Sequence, residues 1–307
     1  MTFILNPLVS LMPYIGEISA LVTACLWSIT SFLFAFAAER VGSVQVNISR
    51  IMLAGILLFL IVEVSGIDYK LSPTQVYYLI LSGIAGLVLG DSFLFKAFQL
   101  IGARLGMVLM SLVPAISAIL AWIFLNEIIT SLGIIGMFIT IFGVLLVVTD
   151  RNHTSTLKGD VNKVGILFGF LGAFGQAGGL VLAKFAFAEG HINGFVASFT
   201  RLSSAGIIIL IIGLLLKRYK NPFKVFSKDI PALKATLTAT VLAPVIGITL
   251  SLVAIEYTKV GIASTLMALV PILMLPVSKY YFKEKLSFQA ISGAFIAVAG
   301  VVILFLR

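Results

Sequence analysis

Residues 102–149 read GARLGMVLMSLVPAISAILAWIFLNEIITSLGIIGMFITIFGVLLVVT, and the same pattern returns 157 positions later. Without a gap, Leu109 and Met110 fall on Leu266 and Met267, Val113 and Pro114 on Val270 and Pro271, Glu127 on Glu284, Gly136 on Gly293 and Gly143 on Gly300. Each copy holds two apolar runs long enough to cross a bilayer, the first interrupted by proline, joined by a short turn that carries the glutamate. The chain is a duplication, and its function follows from what two such copies can do together.

Of 307 residues, 60% are hydrophobic and 11% charged, against about 25% charged in ordinary soluble domains. This composition belongs to a polytopic membrane protein. The net charge of +9 sits in short breaks between apolar runs, so membrane topology accounts for it and no nucleic-acid partner is expected. Cys25 is the only cysteine and lies within an apolar run, while His153 and His191 fall in connecting segments. No disulfide, metal site or cofactor is expected from these residues. The first sixteen residues lack a basic leader and a small-residue cleavage site, so they are not read as a removable signal.

Ten spans can be drawn. In the first copy they lie near 17–38, 44–65, 74–100, 103–125 and 130–149; in the second, near 163–188, 193–216, 232–257, 260–282 and 287–306. Unpaired backbone groups are costly in lipid, and the alternation of a membrane barrel is missing, so the spans are helices. The expected fold is all-α integral membrane, with ten transmembrane helices in two five-helix repeats, residues 14–149 and 163–307, joined by a polar connection at 150–162. Five is odd, so the second repeat enters from the opposite side and the repeats are inverted. Lysine and arginine concentrate in the odd-numbered connections, for example Arg40, Arg151 and Lys217, which by the positive-inside rule places both termini outside the cytoplasm.

The first copy contains Gly90-Asp91-Ser92, Phe95-Lys96-Ala97-Phe98, Ile101-Gly102-Ala103-Arg104, Leu112-Val113-Pro114 and Leu125-Asn126-Glu127, ending in the spaced Gly136 and Gly143. With the duplicated five-span layout, this resembles the drug/metabolite transporter superfamily, and within it the EamA-type ten-helix transporters. The resemblance covers almost the whole chain. It implies ten helices, a central substrate cavity between the halves, and export of amino acids or other small metabolites from the cell through its membrane. It also implies cytoplasmic termini, against the charge count.

Charges inside a membrane cost about 2.5 to 3.5 kcal/mol each on insertion scales, so each needs a partner or a task. Groups present in both copies, Arg50 with Arg201 and Glu127 with Glu284, suit a scaffold role: the arginines by snorkelling or by pairing with helix-end carbonyls, the glutamates as charges at helix starts. Pro114 and Pro271 free backbone carbonyls within their spans, bending them or lining a cavity. A substrate need not be symmetric, so unmatched polar groups are the better site candidates. Asp91 aligns with Ile248, Gln99 with Glu256, Trp27 with Gln176, and Lys184 with Ala35. Helical spacing puts Phe95 on the side of Asp91 with Gln99 nearby, and turns Lys96 away. Asp91, Lys184, Gln176, Trp27, Phe95 and Gln99 are the expected substrate-binding residues.

Two readings of Asp91 stay open. Unpaired, it could take up and release a proton; paired, with Lys184 as the expected partner, it could form an ion pair that opens and closes with the halves, or a static bridge that only orders the helices. Lys184 shares a stripe with Gly165, Gly169, Gly172, Gln176 and Leu180 that can pack against a helix or face a cavity, and it could hold a carboxylate or phosphate. The expected function is a secondary transporter of small metabolites, exporting amino acids or related amphipathic compounds by alternating access with protons as coupling ion. No phosphate-binding loop for direct ATP drive is present, and the clustered acids, bases or nucleophiles of an enzyme are missing from the spans. A cationic drug exporter and a non-transporting membrane scaffold are the alternatives. The sequence leaves the oligomeric state open, and a monomer is compatible with this reading.

Overall fold

The computed structural model describes residues 14–125, 130–149, 162–257, 263, 266–280 and 286–305. Among them every regular element is helical, as expected of apolar runs that must satisfy their own backbone groups. The first copy comprises α1 (Ile15–Val41), α2 (Ser43–Ser65), α3 (Pro73–Gly83), a π-helical stretch Ile84–Gly90 leading into α4 (Asp91–Met110), α5 (Val113–Leu125) and α6 (Ser131–Val148). The second comprises α7 (Lys163–Ala188), α8 (Gly194–Leu215), the short α9 (Pro222–Phe226), α10 (Ile230–Thr240), a second π-helical stretch Val241–Gly247, α11 (Ile248–Tyr257), α12 (Val270–Tyr280) and α13 (Phe288–Phe305).

Seven helical stretches are long and apolar enough to cross a membrane, α3 through α4 and α10 through α11 each counting as one; α5, α12 and α13 are shorter apolar helices. The expected boundary between spans three and four falls at Gly102 (φ 77°, ψ 167°), where two helices meet at a kink with no intervening loop; the positive φ is open to glycine because it has no Cβ. The helical run then ends at Ser111 and Leu112, and Pro114 follows as the second residue of α5. Pro271 is likewise second in α12. Both prolines therefore start helices, where a missing N–H costs nothing, and do not break them from within. Glu127, Glu284 and most of the connection at 150–162 lie outside the described residues. Thr130 and Ser287 cap α6 and α13 through Gly133 N (3.1 Å) and Ala290 N (3.0 Å).

The 157-residue offset carries through into three dimensions. It relates the start of α3 to that of α10, each end of one π-helical stretch to the other, and both ends of α6 to those of α13. Two of the related pairs, α6 with α13 and α2 with α8, pack directly on each other, with opposed chain directions. A Cβ on Gly143 of α6 would stand 2.2 Å from Ala297 N of α13, whereas one on Gly300 would stand 2.3 Å from Thr140 N. On α2 and α8, Gly55 meets Ser203, and Gly213 meets Ile48. Such close approach is what associates helices in lipid, where apolar side chains gain nothing by leaving the hydrocarbon. Gly143→Val is expected to force α6 from α13 and to destabilise the protein by about 1 to 3 kcal/mol or more. Thermal unfolding in detergent checks this; an unchanged midpoint contradicts it.

Outside the spans, Asp229 caps α10, accepting from Ala232 N at 3.0 Å, and takes Arg40 Nε at 2.7 and 3.0 Å on its two oxygens. The Ala232 N–H, and after it Arg40, hold this carboxyl below the usual carboxylate range. A folded-state value lower than the unfolded one, about 3.9 for aspartate, means that the contribution is present above it and lost as pH falls through the folded value. Asp229→Ala is therefore expected to flatten the acid limb of thermal stability against pH.

Candidate functional site

Each π-helical stretch ends in a glycine crossed by the first helix of the other copy. A Cβ on Gly90 would lie 2.9 Å from Gln176 N on α7; one on Gly247 would lie 2.8 Å from Trp27 Nε1 on α1. Gly90 and Gly247 are equivalent by the 157-residue offset, and Trp27 and Gln176 are aligned with each other. The crossing helices bond carbonyls of the π turns: Gln176 Nε2 donates to Gly86 O at 3.0 Å, beside the Asp91 N–H that this oxygen also accepts, and Thr23 Oγ1 donates to Gly247 O at 3.3 Å. A π-helical bulge is a common marker of a functional position.

Between these crossings lies a cavity of about 190 Å³, lined from both copies. Its polar lining is Asp91, Arg50, Gln176 and Arg201 with the hydroxyls Thr30, Ser31, Ser111 and Ser251. Trp27, Phe34, Phe95, Phe98, Met107 and Met267 supply much of the apolar wall. Asp91 is buried at the start of α4. Its Oδ2 is ion-paired with Arg50 Nη2, and its Oδ1 accepts from Gln176 Nε2. Arg50 also donates to Asn47 Oδ1 at 3.0 and 3.1 Å, and Asn47 Nδ2 donates to Ser92 Oγ at 3.1 Å. The rings of Phe34 and Phe95 flank the Arg50 guanidinium, with centroids 5.2 and 4.4 Å from Cζ. One continuous network thus ties α2, α4 and α7 together beside the cavity.

Arg201 differs from its sequence counterpart. It is 6% exposed and lines the same cavity, and among the described residues its buried Nε has no hydrogen-bond partner. Gly86 leaves it room, since a Cβ there would sit 3.4 Å from Arg201 Nη2. The four hydroxyls donate to carbonyls of their own helices at 2.6 to 2.8 Å. They offer a guest lone pairs and few hydrogens.

Four of the six expected binding residues come together here: Asp91, Gln176, Trp27 and Phe95. Lys184 and Gln99 do not line the cavity. Lys184 is half-buried on α7, eight residues beyond Gln176 and so about 12 Å further along the helix. The expected Asp91–Lys184 pair is replaced by Asp91–Arg50. Gln99 instead stitches α4 to the α1–α2 turn, accepting from Lys96 Nζ at 2.8 Å and donating to Ala38 O at 3.4 Å. Arg50 and Arg201 are buried at the cavity and do not snorkel to an interface. The stripe on α7 divides by depth: Gly165, Gly169 and Gly172 pack on Ile101, Leu109 and Leu94, whereas Gln176 and Leu180 face the cavity. Pro114 and Pro271 also line it.

The model of the EamA-like transporter family matches residues 14–149 and 163–306, nearly the whole chain in two halves. The chain belongs to the EamA-like transporter family. It is thereby a member of the drug/metabolite transporter superfamily and a multi-pass membrane transporter, with the bilayer and a small-molecule cargo as its partners. Families of this kind are typically non-enzymatic. A solved structure described only as "Crystal structure of protein" matches this EamA-like chain with a TM-score of 0.65 at 15% identity, covering 94% of this chain and 96% of the other. At that identity the likeness speaks for the fold alone. No curated protein matches.

Proposed function

We propose that this transporter is a secondary carrier of the cell membrane, built of ten spans in two inverted five-helix repeats (14–149 and 163–307, joined by 150–162), that moves small amphipathic metabolites by alternating access. Amino acids and related compounds are the proposed cargo, export the direction, and protons the coupling ion. The observation that carries the proposal is the cavity where Asp91 and Arg50 of one repeat meet Gln176 and Arg201 of the other. The opposed directions of α6 against α13 and of α2 against α8 support the inverted arrangement. With inverted repeats, exchanging the conformations of the halves moves the opening from one side of the membrane to the other.

Substrate binding, in this proposal, falls to Asp91, Gln176, Trp27 and Phe95, joined by Arg50 and Arg201. The Arg50–Asp91–Gln176 network spans both halves, so it must loosen when they move apart. Both Asp91 oxygens are engaged in this conformation, so proton uptake there requires the pair to open first. Two arginines against one carboxylate disfavour the cationic-drug alternative. Reconstituted into vesicles, the protein is expected to drive uphill flux of labelled amphipathic metabolites under an imposed pH gradient. Absence of flux under every gradient and cargo tried would sink the carrier reading.

A further inference from the structure

We infer that Arg201 is the docking point for a carboxylate of the cargo, and that the cavity prefers small organic monoanions with an aromatic or aliphatic body over the corresponding zwitterions and amines. The inference rests on the carrier reading of the site and narrows its cargo: among the amphipathic compounds proposed above it favours those that carry a carboxylate without an ammonium over the amino acids themselves. Arg201 is buried at the cavity wall, and among the described residues no acceptor faces its Nε. A buried guanidinium with an unbonded N–H is costly, and a carboxylate entering the cavity that Arg201 lines can take its N–H groups in a forked, charge-assisted geometry.

The other charges at the cavity cancel. Arg50 is neutralised by Asp91, and Arg201 is the cation in excess. Each Asp91 oxygen already accepts a bond, one from Arg50 and one from Gln176, and its charge is matched by Arg50, so it offers a cargo ammonium little uncompensated charge. An α-ammonium would therefore be stripped of water beside two guanidinium groups, with only the already paired Asp91 to receive it. The hydroxyl oxygens of Thr30, Ser31, Ser111 and Ser251 can accept from a neutral OH or NH of the cargo but carry no full charge. Trp27, Phe34, Leu94, Phe95, Met107 and Met267 leave room for an apolar body.

Three probes of one skeleton isolate the charge: 3-phenylpropanoate (anion), L-phenylalanine (zwitterion) and phenethylamine (cation). Calorimetric titration and thermal shift on the purified full-length protein are expected to rank them in that order, the anion binding at least tenfold tighter than the zwitterion. Arg201→Gln is expected to weaken the anion by about ten- to a hundredfold, the range of a charge-assisted hydrogen bond. Arg201→Lys keeps the charge without the fork, so it should lose less; it is read alone if the Gln variant does not elute as a monodisperse protein. Equal or tighter binding of L-phenylalanine, no response to 3-phenylpropanoate, or an unchanged anion affinity in the folded variants overturns the assignment. Binding needs no transport, so an anion that binds without ever crossing vesicles refutes the carrier and leaves Arg201's role standing. Amino-acid flux with no anion preference does the reverse.

Discussion

Asp91→Ala is expected to abolish transport and to lower stability by about 3 kcal/mol, the low end of what breaking a buried ion pair costs. The low end applies because Arg50 keeps Asn47 and the two phenylalanine rings after its carboxylate is gone. Asp91→Asn retains one acceptor oxygen, so it should recover much of the stability while coupled flux stays lost. The combination Arg50→Leu with Asp91→Leu separates the two roles. Replacing a whole buried pair by apolar side chains is often neutral or stabilising, so the double variant should unfold near the wild-type midpoint and still not transport. Thermal unfolding and vesicle flux on the same preparations check all three. Normal coupled flux in the Asp91→Asn protein would remove Asp91 from the mechanism.

Gly175→Ala should be nearly as damaging, although it adds a single methyl group. That Cβ would stand 2.6 Å from Gly90 Cα, 2.8 Å from Gly90 N and 2.9 Å from Ala85 O, all backbone atoms that cannot rotate aside. Helix α7 must then lift off the π-helical stretch, drawing Gln176 from Asp91 and from Gly86 O. A cost of about 1 to 3 kcal/mol is expected together with loss of flux. Gly178, three residues on, is the control: its Cβ would meet only Ala85 Cβ at 3.9 Å, and Gly→Ala in a helix interior gains about 0.5 to 1 kcal/mol. Gly178→Ala should therefore hold or raise the unfolding midpoint. If both substitutions behaved alike, the close crossing would not govern the site.

The helices were legible in the sequence because apolar length and backbone satisfaction leave no other choice in lipid, and the glycines that the duplication aligns, Gly143 and Gly300, both lie at the α6–α13 contact, the first against Ala297 and the second against Thr140. The partner of Asp91 was not legible. Arg50 stands 41 positions earlier on another helix, and nothing in helical spacing relates the two. Symmetry did not locate the arginines either, for a physical reason. Treating Arg50 and Arg201 as scaffold because both copies carry them assumes that equivalent residues lie far apart. Packing that brings α2 directly onto α8 lets equivalent positions reach one central cavity, where a shared residue type can serve the guest. Gln176 and Lys184 were expected on one face, and helical phase alone does not fix depth; the cavity takes the first and leaves the second. The Asn47-Ile48-Ser49-Arg50 run, polar at both ends of one turn inside an apolar span, was the signal available for the network around Asp91.

Solvent access to the cavity from each side of the membrane tests the central claim most directly. With Cys25 replaced by alanine, Ser31→Cys puts a single thiol on the cavity wall, to be challenged with a membrane-impermeant thiol reagent added to either face of oriented vesicles. Labelling from both faces, with added cargo shifting the two rates in opposite directions, is the result that alternating access predicts. Labelling from one face alone under every condition would contradict it.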